Sequence, residues 1–226
     1  MYRSSSPRHG ELILRSDPMS NILAFGDSNT WGLIPGSKPH QRFPREVRWT
    51  GILQSLLPDA RIIEEGLCGR TTVYEDPLRP GRRGLSALPG TLESQSPLDG
   101  AIIMLGTNDC KTIYGVSSYT IGRGVELNLD VLEKFVDPAK TLLVSPLHLG
   151  DDVWRPEKDP EFDKHSIEVS HELKAVYEAI AVRRGLHFLA ASDIASPSKV
   201  DDEHFDEEGH KLFAQAVLNR IKGMYL

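Results

Sequence analysis

Five short apolar runs separated by segments of helical period most constrain what this chain can fold into. Ile22-Leu23-Ala24-Phe25 stops at Gly26, Arg61-Ile62-Ile63-Glu64 is followed by Gly66, and Ala101-Ile102-Ile103-Met104-Leu105 stops at Gly106. Thr141-Leu142-Leu143-Val144 ends at Ser145-Pro146, and His187-Phe188-Leu189-Ala190 is the last. The runs are continuous rather than alternating, as in parallel strands covered on both faces. Val47–Leu57 is a first helical candidate. Val125, Leu129, Leu132 and Val136 mark one face of a second, and Val169, Leu173, Val176 and Ile180 repeat that spacing. Leu212, Phe213, Ala216, Val217 and Ile221 mark the last helix, with Asp206 as its N-cap. Strands and helices in alternation predict one doubly wound α/β domain with a five-stranded parallel sheet.

A chain of 226 residues suits one large domain or two small ones. No internal repeat or linker divides it, so residues 21–226 are read as a single domain. Residues 1–20 are read as an N-terminal extension, because Met19 stands just before the first strand, and such an arm is expected to pack on something such as a neighbouring subunit. The stretches 31–45, 74–98 and 147–163, rich in Pro, Gly and charge, are expected to be long loops, which in a compact domain are usually functional.

Lys plus Arg total 26 and Asp plus Glu 32, a net charge of −6. That balance argues against nucleic acid, whose phosphates need clustered cations. No apolar run approaches the roughly 20 residues that span a bilayer, and the first twenty residues lack a signal-peptide core. Two cysteines, Cys68 and Cys110, suit a reducing compartment better than a disulfide scaffold. The expectation is a soluble cytoplasmic protein with neither membrane nor nucleic-acid partner.

Three motifs fall at informative places. Gly26-Asp27-Ser28-Asn29 follows the first strand, Gly106-Thr107-Asn108-Asp109 follows the third, and Asp201-Asp202-Glu203-His204 precedes the last helix. Loops leaving the carboxyl ends of parallel strands share one sheet edge, where ligands bind. A serine hydroxyl there needs a base. His204, with an ordinary pKa near 6.5, suits that task, and Asp201 one turn earlier can orient it. The Asn108 amide and the Ser28 backbone N–H can donate to an oxyanion, and Gly69 offers a third donor on the loop after strand two. Taken alone, each motif reads as a turn or a solvated acidic segment; their order along the chain gives them weight together.

These motifs resemble the SGNH hydrolases, the GDSL-type esterases and lipases, whose blocks match Ser28, Gly69, Asn108, and Asp201 with His204. Gly26-Asp27-Ser28-Asn29-Thr30-Trp31-Gly32, Val47-Arg48-Trp49-Thr50-Gly51, Glu64-Glu65-Gly66-Leu67 and Ile102–Asp109 are similar to the arylesterase/acyltransferase branch. The resemblance spans roughly residues 21–222. It implies a flavodoxin-like three-layer α/β/α sandwich, small-acyl ester substrates, no cofactor, and a homo-oligomer whose subunits wall the pocket. It also implies an apolar pocket entrance, where this chain has Glu203.

Trp31 is a candidate pocket floor or a packing residue, and Lys111 a candidate pocket-rim residue or a solvated loop lysine. Asp27 is expected to brace its turn. His210 is expected to support the loop by a hydrogen bond rather than join a metal site, for which no ligand motif is present. Arg70, Arg79, Arg82 and Arg83 are expected to be solvated or intersubunit. A Cys68–Cys110 disulfide is not expected, because strand one should lie between their strands. The predicted activity is small-acyl ester hydrolysis through an acyl-enzyme, with acyl transfer to alcohols as an extension. The competing readings are carbohydrate O-deacetylase, lysophospholipase/thioesterase, and a non-catalytic flavodoxin-like binding domain.

Overall fold

The computed structural model describes residues 20–225, so the expected N-terminal arm, Ser20 apart, lies outside the described residues. In chain order the elements are β1 (Ser20–Gly26), α1 (Ser28–Trp31), α2 (Trp49–Leu56), β2 (Ala60–Gly66), α3 (Gly84–Gln95), β3 (Gly100–Met104), α4 (Ser118–Leu132), β4 (Thr141–Ser145), α5 (Lys164–Arg184), β5 (His187–Ala190) and α6 (Glu207–Tyr225). All strand pairs are parallel, in the order β2-β1-β3-β4-β5. The chain leaves β1 in one direction and returns past it to β3. The carboxyl ends of β1 and β3 therefore flank the topological switch point, where this sheet order opens a crevice.

The apolar runs are buried on both faces because each residue alternates sides. Leu23 and Phe25 of β1, with Ile103 of β3 and Leu143 of β4, pack under α3, α4 and α5. Ile22, Ala24, Ile102, Met104, Leu142 and Val144 face α2 and α6, whose Trp49, Leu53, Phe213 and Val217 are fully buried. This is the three-layer α/β/α sandwich that the alternation predicts. The spacing on α4 also holds, with Val125, Leu129 and Leu132 all buried. Helix α5 starts in a capping box between Asp163 and Ser166 and stops at Gly185, whose φ is +70°. At the head of α6 the Asp206 carboxylate accepts from the Gly209 N–H at 2.8 Å.

One expected loop is partly a helix. Residues 84–95, inside the 74–98 stretch, form α3 despite Pro89 within it. Gly84, Pro89 and Gly90 all weigh against helix, but Leu88 and Leu92, four apart, are fully buried against the sheet, and packing overrides propensity. Stretches 31–45 and 147–163 add no helix or strand beyond the end of α1.

Candidate active site

The site begins with a close approach. A Cβ on Gly26 would stand 2.1 Å from Thr30 Oγ1 and 2.8 Å from the Met104 carbonyl, so only glycine lets β1 turn here beside β3. The Asp27 carboxylate then accepts from the Asn29 N–H at 3.0 Å and caps α1, bracing the turn as expected. Burial pushes the Asp27 carboxyl up to about 6. Ser28 becomes the first residue of α1, so its own N–H has no intrahelical acceptor.

The Ser28 Oγ lies 2.8 Å from His204 Nε2, and His204 Nδ1 lies 2.9 Å from Asp201 Oδ2. A carboxylate only accepts, so in the neutral imidazole Nδ1 carries the proton and Nε2 is left to accept from the serine hydroxyl. Asp201 also receives the backbone N–H groups of Glu203 and His204 at 3.1 Å and that of Gly36 at 3.1 Å. Burial alone would raise its pKa, but His204 and these donors hold it below the ordinary carboxylate value. For His204, burial pulls downward, while the Glu203 and Asp201 carboxylates outweigh it and lift the imidazole to about 9. The sequence led us to expect the ordinary 6.5; the correction comes from Glu203, whose Oε1 is 3.6 Å from Nε2.

Asn108 opens a short 3-10 turn after β3, and its Nδ2 donates to the Arg70 carbonyl at 3.1 Å. Gly69 sits on the facing loop with φ +80°, a conformation that favours glycine. Ser28, Gly69, Asn108, Asp201 and His204 all line one cavity of about 260 Å³. Sequence motifs nearly 180 residues apart thus meet at one sheet edge.

Two supporting residues escaped the sequence reading. Asn29 accepts from the Phe205 N–H at 2.9 Å and donates to the Glu203 carbonyl at 3.4 Å, gripping His204 from both sides. Asp109, fully buried, binds the Thr72 N–H at 3.0 Å and the Thr72 hydroxyl, holding the glycine-bearing loop against the Asn108 turn. The available signal was position: each is a polar residue beside a motif residue, on backbone entering the core. His210, also buried, does make a hydrogen bond, but to the Trp49 N–H at the start of α2 (3.3 Å), and burial lowers its pKa to about 3.

The cavity's outer wall is ionic. Lys111 pairs with Glu161 and, at 3.6 Å, with Asp159; Arg79 pairs with Asp76 and Glu161, both at 2.9 Å; Lys158 pairs with Asp202 at 2.6 Å. Lys111 is therefore a buried wall residue and not a solvated lysine, because two carboxylates compensate its desolvation. Arg70 is likewise not solvated: its guanidinium donates to the Gly26 and Glu65 carbonyls and lies 4.1 Å from the Phe25 ring centroid. Arg82 donates to the Cys68 carbonyl at 2.9 Å. Glu203 lines the cavity, whereas Trp31 does not: it sits half-buried at the end of α1, under the Arg42 guanidinium. Cys68 and Cys110 are free thiols on loops after strands that β1 separates. Among the described residues no cluster of His, Cys, Asp and Glu is arranged to hold a metal.

A hydroxyl, an imidazole and a carboxylate in one hydrogen-bonded line, on the switch point of a β2-β1-β3-β4-β5 sheet, put the protein in the class of carboxylic ester hydrolases. It belongs to the GDSL-like lipase/acylhydrolase family, whose model matches residues 24–212. Solved SGNH structures agree. An aryl esterase of Mycobacterium smegmatis is 33% identical with a TM-score of 0.83, over 91% of this chain and 99% of that one. A carbohydrate acetylesterase from Sinorhizobium meliloti is 33% identical with a TM-score of 0.83, over 91% of this chain and 100% of that one. A carbohydrate acetylesterase family member from the same organism is 30% identical with a TM-score of 0.80, over 91% and 99%. No curated protein matches the chain in sequence. Among the described residues no helix is long and apolar enough to cross a membrane.

Proposed function

We propose that Ser28 is the nucleophile and His204 the general base of a small-acyl esterase. Ser28 Oγ bonds to the ester carbonyl carbon as its proton passes to His204 Nε2. The tetrahedral intermediate collapses, the ester C–O bond breaks, and the leaving alkoxide takes that proton. Water repeats the sequence on the acyl-enzyme and restores Ser28; an alcohol in its place gives acyl transfer. Asp201 keeps the Nδ1 tautomer and offsets the imidazolium charge. The N–H groups of Ser28 and Gly69 and the Asn108 amide hold the oxyanion.

The observation that carries this reading is the line Ser28 Oγ–His204 Nε2–His204 Nδ1–Asp201, at 2.8 and 2.9 Å. Its test is turnover of p-nitrophenyl acetate by the protein and by Ser28→Ala. The variant is expected to lose about 10⁴-fold or more in kcat and to escape labelling by a fluorophosphonate. Retained turnover, or a wild-type protein that takes up no label, overturns the reading and favours a binding domain.

The lining also bears on the substrate. Leu33 is the one aliphatic side chain on the cavity among the described residues, so a long acyl chain has little apolar surface to bury. That favours short acyl groups over lysophospholipid, and turnover of p-nitrophenyl esters should fall from acetate to dodecanoate. Lysines, Arg79 and carboxylates make up half of the rest of the lining and favour a polyhydroxylated alcohol, as in an acetylated carbohydrate. The free thiols support a reducing compartment such as the cytoplasm. A homo-oligomer is the assembly we infer from the family, to be read from sedimentation.

A further inference from the structure

Glu203 differs from the other carboxylates on the cavity. Asp201 and Glu161 accept from several donors and Asp159 from the Glu161 N–H, but among the described residues no hydrogen bond reaches the Glu203 side chain. Its backbone is fixed on both sides, by Asp201 at the N–H and by Asn29 at the carbonyl. The residue is 5% exposed, and its Oε1 stands 3.6 Å from His204 Nε2. A carboxylate this buried, facing the cavity with no donor among the described residues, takes its hydrogen bonds from whatever occupies the cavity.

The position of Nε2 says which part of a substrate that would be. To take the proton back, the leaving oxygen must come within hydrogen-bond reach of Nε2. Glu203 Oε1 is already beside the same nitrogen, so the leaving oxygen and this carboxylate are neighbours. A free hydroxyl on the carbon next to the ester-bearing carbon is one gauche torsion from that oxygen. We propose that Glu203 accepts a hydrogen bond from this vicinal hydroxyl, selecting mono-esters of vicinal diols, such as glycerol or sugar acetates, over esters of simple alcohols. The assignment rests on the esterase reading above and adds to it the chemistry of the alcohol. In the wild-type site the hydroxyl satisfies the buried carboxylate, whereas a simple alkyl group displaces its water and leaves it unpaired.

The test compares kcat/KM for 2-hydroxyethyl acetate and ethyl acetate, in a pH-stat, for the wild-type protein, Glu203→Gln and Glu203→Leu, with p-nitrophenyl acetate alongside. On the alkaline side of pH 7, where Glu203 is charged, the wild type is expected to prefer the hydroxylated ester by about 10- to 100-fold, the range of a hydrogen bond to a charged acceptor. The ratio should fall by about threefold or more in Glu203→Gln, whose amide oxygen is a weaker acceptor, and approach one in Glu203→Leu. Should the leucine variant not fold, the glutamine ratio decides. An equal ratio in wild type and variants, or no wild-type preference, overturns the assignment while p-nitrophenyl acetate turnover keeps the esterase reading. A wild type inert toward all three esters overturns both. A preference for acetylcholine over 2-hydroxyethyl acetate would mean a cation site and would also overturn the hydroxyl assignment.

Discussion

The two sides of the cavity are held by different bonds. On the floor, Ser28, Gly69 and Asn108 sit just past the ends of β1, β2 and β3, and the polar side chains beneath them bond to backbone: Asp27 to Asn29, Asp109 to Thr72, Asn128 to the Thr72 carbonyl at 3.1 Å. On the wall, side chains bond to side chains across loops, as Lys111 and Arg79 do to Glu161. Backbone bonds in a desolvated floor fix positions to the tolerance that proton transfer needs. Ion pairs at a partly exposed rim are weaker and screened by salt, and they can be exchanged without moving the floor. Under the proposed function, the chemistry belongs to the floor and the choice of substrate to the wall, and this division can be broken by experiment.

The largest effect expected after loss of Ser28 is at Asn108. If the floor supplies the oxyanion donor, Asn108→Ala should lower kcat by about 10²–10³ with a smaller change in KM. The variant also loses the bond to the Arg70 carbonyl, so thermal unfolding should be followed in parallel. A kcat within threefold of wild type would remove Asn108 from the floor's chemistry. Asn29 comes next. It touches no substrate in this reading and acts by gripping the chain on both sides of His204. Asn29→Ala should cost about 10²-fold in kcat, as misplacement of a catalytic group by about 1 Å does. Its acidic pH limb should stay where it is, because no charge has changed.

Glu203 belongs to both sides, and pH separates its contributions. Protonated His204 cannot accept from Ser28. The negative charge on Glu203 stabilises the imidazolium, so the acidic limb of kcat/KM should lie above the ordinary 6.5, towards 9. Glu203→Gln removes that charge, lowers the imidazole pKa and should move the limb to lower pH by about 1–3 units. Burial pushes the Glu203 carboxyl itself up to about 7, so the shift should be read on the alkaline side of that value, where the wild-type residue is charged. An unmoved limb would mean that no carboxylate charge reaches His204.

The floor was legible in the sequence and most of the wall was not. Ser28 and Asn108 directly follow strands, Asp201 and His204 directly precede a helix, and in a doubly wound sheet those places converge. Chain position alone therefore placed them. Lys111 and Glu161 are 50 residues apart and Arg79 and Glu161 are 82, in loops whose charges follow no period. Which of them meet depends on loop paths that no local rule determines, so the sequence left Lys111 open between the pocket rim and a solvated loop. Helix α3 was missed for a related reason: its local residues oppose helix, and only the sheet beneath Leu88 and Leu92 favours it. The His204 shift was hidden because its source, Glu203, is adjacent in sequence but acts only through burial.

The smallest expected effect tests the wall as a set of exchangeable ion pairs. Lys111 is buried, while the Glu161 side chain is 38% exposed, so the two partners should respond unequally to substitution. Glu161→Gln strands a desolvated ammonium with Asp159 at 3.6 Å as its remaining carboxylate, and should cost about 1–3 kcal/mol in urea unfolding. Lys111→Met keeps the aliphatic stem against the cavity and leaves Glu161 with Arg79 and water. Replacing a buried charge by an apolar side chain of similar length is commonly near neutral, so this change should cost under about 1 kcal/mol. Equal losses from the two variants would mean that Lys111 is anchored by packing rather than by its charge. A large fall in p-nitrophenyl acetate turnover from Lys111→Met would carry the wall into the chemistry and erase the division between the two sides.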